Sequence, residues 1–167
     1  VLLLNFSCTD WLDVKPVDRM SEDQLYSTEA GFRQALNGIY VELNHADLYG
    51  DELLVNTVEI LAQRYKFSSM GTLTNQYHLA EFDYTTDYAK KCGSRIWEKA
   101  YALIANVNKL LKNADSHKDL FTGDSYDLIT GEAYALRAFL HFDLLRLFGP
   151  VYKTHKEDKS ICYNTQF

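Results

Sequence analysis

Proline and cysteine are scarce in this sequence of 167 residues, with two and three copies, and glycine occurs eight times. These low counts exclude a collagen-like chain, a low-complexity chain and a dense disulfide scaffold. Basic residues are also in the minority, since 17 Lys and Arg face 23 Asp and Glu and leave a net charge of -6. The sequence therefore predicts no general attraction to nucleic acid or to anionic lipid.

Long hydrophobic runs are missing as well. No stretch approaches the roughly 18 apolar residues that a bilayer-spanning helix requires, so we expect none. Hydrophobic residues nevertheless make up 47% of the chain and charged residues 24%, a balance typical of a packed globular domain. The aromatic share of 14% raises the question of whether some rings bind a ligand.

Residues 1–8, with the sequence VLLLNFSC, have the pattern of an export signal that ends at a lipoprotein cysteine. In this interpretation residues 1–7 are a residual signal peptide and Cys8 is acylated, for example with palmitate. Each buried CH₂ of the acyl chains contributes about 0.8 kcal/mol to anchoring. The alternative is a buried first strand that contains a cysteine by chance.

The two remaining cysteines, Cys92 and Cys162, lie far apart in the sequence and belong to no CxxC motif. Zinc and thioredoxin-type chemistry therefore have no support. In an exported protein the pair can form a disulfide, and two free buried thiols are the equally weighted alternative.

Four segments have the apolar spacing of helices and predict a mainly α fold. They span about 28–44, 51–64, 94–114 and 124–148. Ser21 and Gln24 fit a capping box ahead of the first segment. The last segment ends at Gly149 and Pro150, where glycine is expected to take a left-handed cap. Its second half is apolar on nearly all sides, so we expect neighbours to enclose it.

The chain closes with an irregular polar stretch and then with residues 160–167, SICYNTQF. A β-branched and aromatic run of this kind predicts a strand whose partner is absent. We therefore expect the sequence to be the front part of a longer protein.

Candidates for catalysis are few, and we predict neither an enzyme nor a cofactor. Four carboxylates can be considered for glycoside hydrolysis, but no spacing brings two of them to the required separation of about 5–9 Å. They are Glu52, Glu59, Asp83 and Asp87. Solvated surface acids are the expected role.

Histidines also fail to define a metal site. His141 and Asp143 lie about 200° apart on a helix, so their side chains cannot share a metal. His45 and Asp47 supply two potential ligands where a site needs more. Asp143 is instead expected to pair with Arg146, three residues further along the same helix.

Residues 65–93 are rich in turn residues and in aromatic side chains. A loop of this length in a compact domain is usually functional or poorly ordered. A flat ring with a polar edge suits stacking on a sugar, and polar side chains nearby suit its hydroxyl groups. Packing of the loop onto the helices is the alternative. The predicted ligand-binding residues are Arg64, Tyr65, Asn75, Tyr77, Tyr84 and Tyr88.

Four separated blocks resemble the SusD/RagB family of lipoproteins and keep that family's order. The blocks are 8–16 (CTDWLDVKP), 28–40 (TEAGFRQALNGIY), 97–110 (WEKAYALIANVNKL) and 131–150 (GEAYALRAFLHFDLLRLFGP). Together they extend over nearly the whole chain, and the last block is the most specific.

This resemblance implies a mainly α fold of tetratricopeptide-like helix pairs, with 8–167 as an incomplete N-terminal domain. It also implies a nutrient-binding lipoprotein anchored in the outer membrane and exposed at the cell surface. Such a protein delivers oligosaccharide to a SusC-like TonB-dependent transporter. Other functions left open are a helical-repeat interaction module whose cargo is peptide, protein or another nutrient, and a lipoprotein glycosidase.

Overall fold

The computed structural model describes residues 20–69 and 71–166, and regular structure within these ranges is helical. Six α-helices follow one another in the described ranges, with a short 3₁₀ turn at Lys118–Leu120 before the last. The helices are α1 (Glu22–Leu25), α2 (Glu29–Leu43), α3 (Thr57–Leu61), α4 (Thr74–Ala80), α5 (Asp87–Ser116) and α6 (Ser125–Phe148). The mainly α class is confirmed.

Helix starts follow the local sequence closely. The capping box is present, since the Gln24 amide donates to Ser21 Oγ at 3.3 Å and the Ser21 amide donates to Gln24 Oε1 at 3.2 Å. Thr28 caps α2 by accepting from the Gly31 amide at 3.1 Å. A Cβ atom on Gly31 would lie 1.7 Å from the Leu25 carbonyl oxygen, so glycine allows α1 and α2 to meet here.

The main core lies between α2, α5 and α6. Because only a short connection joins α5 to α6, the two long helices form a hairpin, and α2 packs across both. Each helix contributes one apolar face with three- and four-residue spacing. The fully buried members include Phe32, Ile104, Val107, Leu110, Leu140 and Leu144.

The described residues cover only one face of α6, so the expectation that neighbours enclose the whole helix stays a prediction. Leu140 and Leu144 are buried, whereas Phe139, Phe142 and Leu145 are exposed. The reason is geometric, because α2 and α5 cover one face of α6 and the opposite face meets no helix of the described part. An apolar sequence on every side therefore gives one buried face and one exposed apolar face.

The end of α6 also differs from expectation. Gly149 has φ -79° and ψ 154°, which is extended and not left-handed. Pro150 accounts for this, since the residue before a proline is driven out of the helical region towards extended conformations. The helix still ends at Phe148 as predicted.

Two predicted helix boundaries change. The segment 51–64 contains only the short α3, because residues 51–56 form turns around the buried Glu52. The segment 94–114 is longer, since α5 starts at Asp87 with Thr86 Oγ1 accepting from the Ala89 amide at 3.3 Å. Small buried residues in the first turns of α5 gave no strong periodic signal.

Residues 160–166 form no strand, so that prediction is wrong. Several of their main-chain groups bond to side chains of α5 and α6 in place of a neighbouring strand. The signal segment 1–7, Cys8 and the block 8–16 lie outside the described residues. Among the helices of the described ranges, none is both long enough and apolar enough to cross a membrane.

Candidate functional site

A second, smaller apolar cluster lies apart from the main core, where α3, α4 and the first turns of α5 meet. Ile60, Leu79, Ala80 and Ala89 are buried in it. Gln63 Nε2 donates to the Ala80 carbonyl at 2.6 Å and links the end of α3 to α4. The aromatic-rich segment 65–93 is thus partly helical. Some of its side chains pack onto the helices, which is the alternative to ligand binding.

An open groove of about 560 Å³ lies where this small cluster approaches the end of the α5–α6 hairpin. We call it the aromatic groove. Its lining is mostly apolar and includes Leu61, Leu79, Tyr84, Trp97, Leu147 and Phe148. The volume falls within the range of about 300–1,000 Å³ that is usual for small-ligand sites.

Trp97 and Phe148 form one wall of the aromatic groove. Their ring centroids lie 5.1 Å apart with an angle of 87° between the planes, and Trp97 also contacts the Tyr101 ring at 4.9 Å. The helical spacing predicts Trp97 as a core residue, and it does pack against the main core. The sequence does not predict that Trp97 also lines a groove with Phe148, because α5 and α6 meet there only in the tertiary structure.

Of the six predicted ligand-binding residues, only Tyr84 lines the aromatic groove. Its side chain is 57% exposed, in the turn between α4 and α5. Tyr65 is also exposed, and its hydroxyl donates to the Val55 carbonyl at 3.2 Å. Both rings therefore have surface available to a ligand.

The other predicted residues have local partners or lie apart. The Tyr77 ring contacts the His78 ring at 5.7 Å. Tyr88 packs into the small cluster, where burial raises the pKa of its hydroxyl. Arg64 Nε lies 3.9 Å from a Glu59 carboxylate oxygen.

Asn75 is exposed near the start of α4. The six predicted residues thus share one region of the fold, but the structure does not bring them together into one lined pocket.

A polar network supports the groove from inside the fold. Glu52 is 1% exposed, and its Oε1 lies 2.9 Å from Arg95 Nη2. Arg95 Nε also donates to Asp47 Oδ1 at 2.6 Å. The Thr57 hydroxyl and the Asn56 side-chain amide donate to the second carboxylate oxygen of Glu52. This buried carboxylate is an anchor between the 45–57 turns and α5.

Both described cysteines are free thiols, so the disulfide alternative is excluded. Cys92 is buried and lines the groove, whereas Cys162 is exposed. Burial raises the pKa of the Cys92 thiol, and the Glu52 carboxylate raises it further. The thiol is therefore protonated near neutral pH and is a poor nucleophile.

The candidate acid Asp83 is engaged in local hydrogen bonds. Bonds from the Thr85 hydroxyl and amide lower the pKa of Asp83, which is opposite to what a general acid needs. Asp87 lies in the first turn of α5. Within the described ranges, no group of three or more His, Cys, Asp or Glu side chains is placed to hold a metal ion.

The polar residues of α6 behave as the sequence predicts. His141 and Asp143 face different neighbours, since the Asn164 amide donates to His141 and the Tyr49 hydroxyl donates to Asp143. Asp143 pairs with Arg146 at 3.1 Å, as expected from their spacing.

The described residues thus form a helical framework with an open aromatic groove. Comparison with known proteins shows the family. Residues 10–166 match the model of a SusD-like family that is described as starch-binding and associating with the outer membrane. The chain belongs to this SusD-like family.

Two curated relatives come from Formosa agariphila. SusD-like protein P2 is 28% identical over 152 residues, which cover 90% of this chain and 29% of the relative. SusD-like protein P25 is 27% identical over 148 residues, which cover 86% of this chain and 28% of the relative. The chain thus spans less than a third of the length of these relatives. No solved structure matches it significantly.

Proposed function

We propose that this chain is the N-terminal helical part of an outer-membrane lipoprotein that binds oligosaccharide and delivers it to a SusC-like TonB-dependent transporter. The family match over residues 10–166 carries this proposal. In it, the protein binds its cargo by shape and ring contacts and breaks no bond.

The aromatic groove supports the binding step. Tyr84 and the Trp97–Phe148 pair present aromatic surface beside an open volume, and a few polar side chains such as Ser94 and Glu98 lie at the same groove. Apolar faces with scattered polar groups suit a sugar, which has C–H faces and hydroxyl edges. Tyr65 and Asn75 extend the candidate surface beyond the groove.

The binding step is tested by calorimetry with a panel of oligosaccharides that includes α-glucans. Tyr84→Ala should weaken the binding of an active sugar by about three- to tenfold, the value of one aromatic contact. Tyr152→Ala is the matched control, because Tyr152 is exposed on the polar stretch after α6. Failure of every sugar to bind, or selective binding of peptides, would contradict the oligosaccharide proposal.

Anchoring and delivery need separate tests on the complete protein in its native host. Metabolic labelling with an alkyne analogue of palmitate should mark the protein, and Cys8→Ala should abolish the label. Cys162→Ala is the control, since Cys162 is an exposed free thiol. Co-purification with a TonB-dependent transporter tests delivery. An unlabelled protein recovered without a transporter would contradict both steps.

A further inference from the structure

Residues 162–166 lie against α5 and α6 and are held through their main chain. The Tyr101 hydroxyl of α5 donates to the Cys162 carbonyl at 2.8 Å. Asn108, also on α5, donates from its side-chain amide to the carbonyls of Asn164 and Gln166, both at 3.2 Å. These hydrogen bonds are accepted by main-chain carbonyl groups, so they do not depend on the side chains at the accepting positions.

Arg137 of α6 orients the Asn108 amide. Arg137 Nη1 donates to Asn108 Oδ1 at 2.9 Å, so the NH₂ group must face the segment. The same guanidinium nitrogen also donates to the Thr165 carbonyl at 3.2 Å. Asn108 is only 2% exposed, so it is a buried residue of this contact and not a surface residue.

Tyr101, Asn108 and Arg137 donate hydrogen bonds to residues 162–166, whereas His141 accepts one from this segment. Its Nδ1 lies 2.8 Å from the Arg137 carbonyl oxygen, and a carbonyl can only accept, so Nδ1 carries the hydrogen. Nε2 is then the unprotonated nitrogen and accepts from the Asn164 amide at 3.1 Å. The histidine is buried, and the Tyr163 ring covers it at 4.7 Å.

We propose that α5 and α6 form a main-chain-binding groove for residues 162–166, and that protonation of His141 releases this segment. A proton on Nε2 places an N–H donor against the Asn164 N–H donor, so the bond is lost and the two groups repel. The inference concerns a surface other than the aromatic groove and does not depend on the identity of the ligand.

The surroundings of His141 favour release of residues 162–166 on protonation, because they do not compensate a positive charge on the ring. Tyr101 faces it from α5 and Tyr163 faces it from the bound segment, both with neutral rings. Arg137 on its own helix is cationic and adds no compensation for a second positive charge. No ion pair of His141 with a carboxylate occurs within the described ranges, so the charged imidazole has no partner there.

Amide hydrogen exchange tests the proposal. The protection factor of the Asn164 amide, corrected for the intrinsic rate at each pH, should fall by about tenfold or more when the pH is lowered from 8 to 5. Thr165→Ala should leave protection unchanged, because Arg137 binds the carbonyl of that residue. Constant protection across this pH range would overturn the release step, and loss of protection in Thr165→Ala would overturn main-chain recognition.

A matched histidine provides the control. His117, the C-cap residue of α5, also has Nδ1 near the carbonyl four residues earlier, Asn113 O, at 2.9 Å, and no hydrogen bond joins it to residues 162–166. His117→Gln should keep the pH dependence, and His141→Phe should remove it. If His141→Phe does not fold, a ¹⁵N spectrum of the wild-type imidazoles decides. An Nε2–H tautomer of neutral His141 would overturn the proposal.

Discussion

The Tyr49 hydroxyl lies 2.6 Å from Asp143 Oδ2 and joins the turn after α2 to the C-terminal part of α6. The Phe139 ring stacks on Tyr49 with centroids 5.1 Å apart and an angle of 21° between the planes. Burial, followed by the bond to Asp143, raises the pKa of Tyr49 well above its usual value. This contact secures α6 on the edge next to its exposed apolar face.

Removing the hydroxyl isolates the value of this bond. Tyr49→Phe keeps the stacked ring but leaves Asp143 without the donor, and bonds to charged groups contribute about 1.5–3 kcal/mol. We expect the free energy of unfolding in urea to fall by about 2 kcal/mol. The matched control is Tyr152→Phe at an exposed position, and an equal loss in both variants would contradict the assignment.

Alkaline pH should destabilise the fold through Tyr26. Burial raises the pKa of this hydroxyl to about 12 from an unfolded value near 10. The folded state then holds a proton that the unfolded state releases, so stability falls as pH rises from about 10 to 12. The loss should be on the order of 2 kcal/mol. Tyr26→Phe should remove this part of the pH dependence, measured by urea unfolding at each pH.

The loss of Arg95 and the loss of the Asp47 charge should lower the free energy of unfolding by different amounts. Arg95→Met leaves the Glu52 carboxylate buried without its cation, and unfolding should become easier by roughly 3 kcal/mol. Asp47→Asn changes a more exposed contact of the same arginine and should cost less than about 1 kcal/mol. Equal effects in denaturant titrations would show that burial of Glu52 does not determine the energy.

The two faces of α6 provide a direct comparison of leucines. Leu140→Ala removes a buried side chain from the main core and should cost about 2–5 kcal/mol. Leu145→Ala lies on the exposed apolar face and should cost less than about 1 kcal/mol. Thermal or urea unfolding measures both. A large effect at Leu145 would mean that this face is covered in solution.

Much of the fold follows from local sequence. The spacing of apolar residues predicts α2, most of α5 and α6, and the capping box at Ser21 and Gln24 predicts the start of α1. These features depend on residues within one or two turns of each other, so a linear reading detects them. Helix α4 and the first turns of α5 are not predicted from the sequence. They contain few buried residues, so their apolar spacing is only weakly periodic.

The candidate site was less predictable. The aromatic-rich segment predicts Tyr84 as a ligand-binding residue, but no spacing in the sequence pairs it with Trp97 or Phe148. Those two rings are 51 positions apart and meet because α5 and α6 fold back on each other. The sequence predicts Glu52 as a solvated surface acid, whereas the fold buries it to 1% exposure beside Arg95.

The sequence by itself determined the helical class, the positions of the long helices and the family blocks, since each depends on residue types at short spacing. The tertiary structure decided which face of α6 is covered, that Cys92 and Cys162 stay apart, and that residues 162–166 bind helices instead of a strand. These outcomes depend on the angle and distance at which distant segments pack, and no short stretch of sequence encodes either quantity.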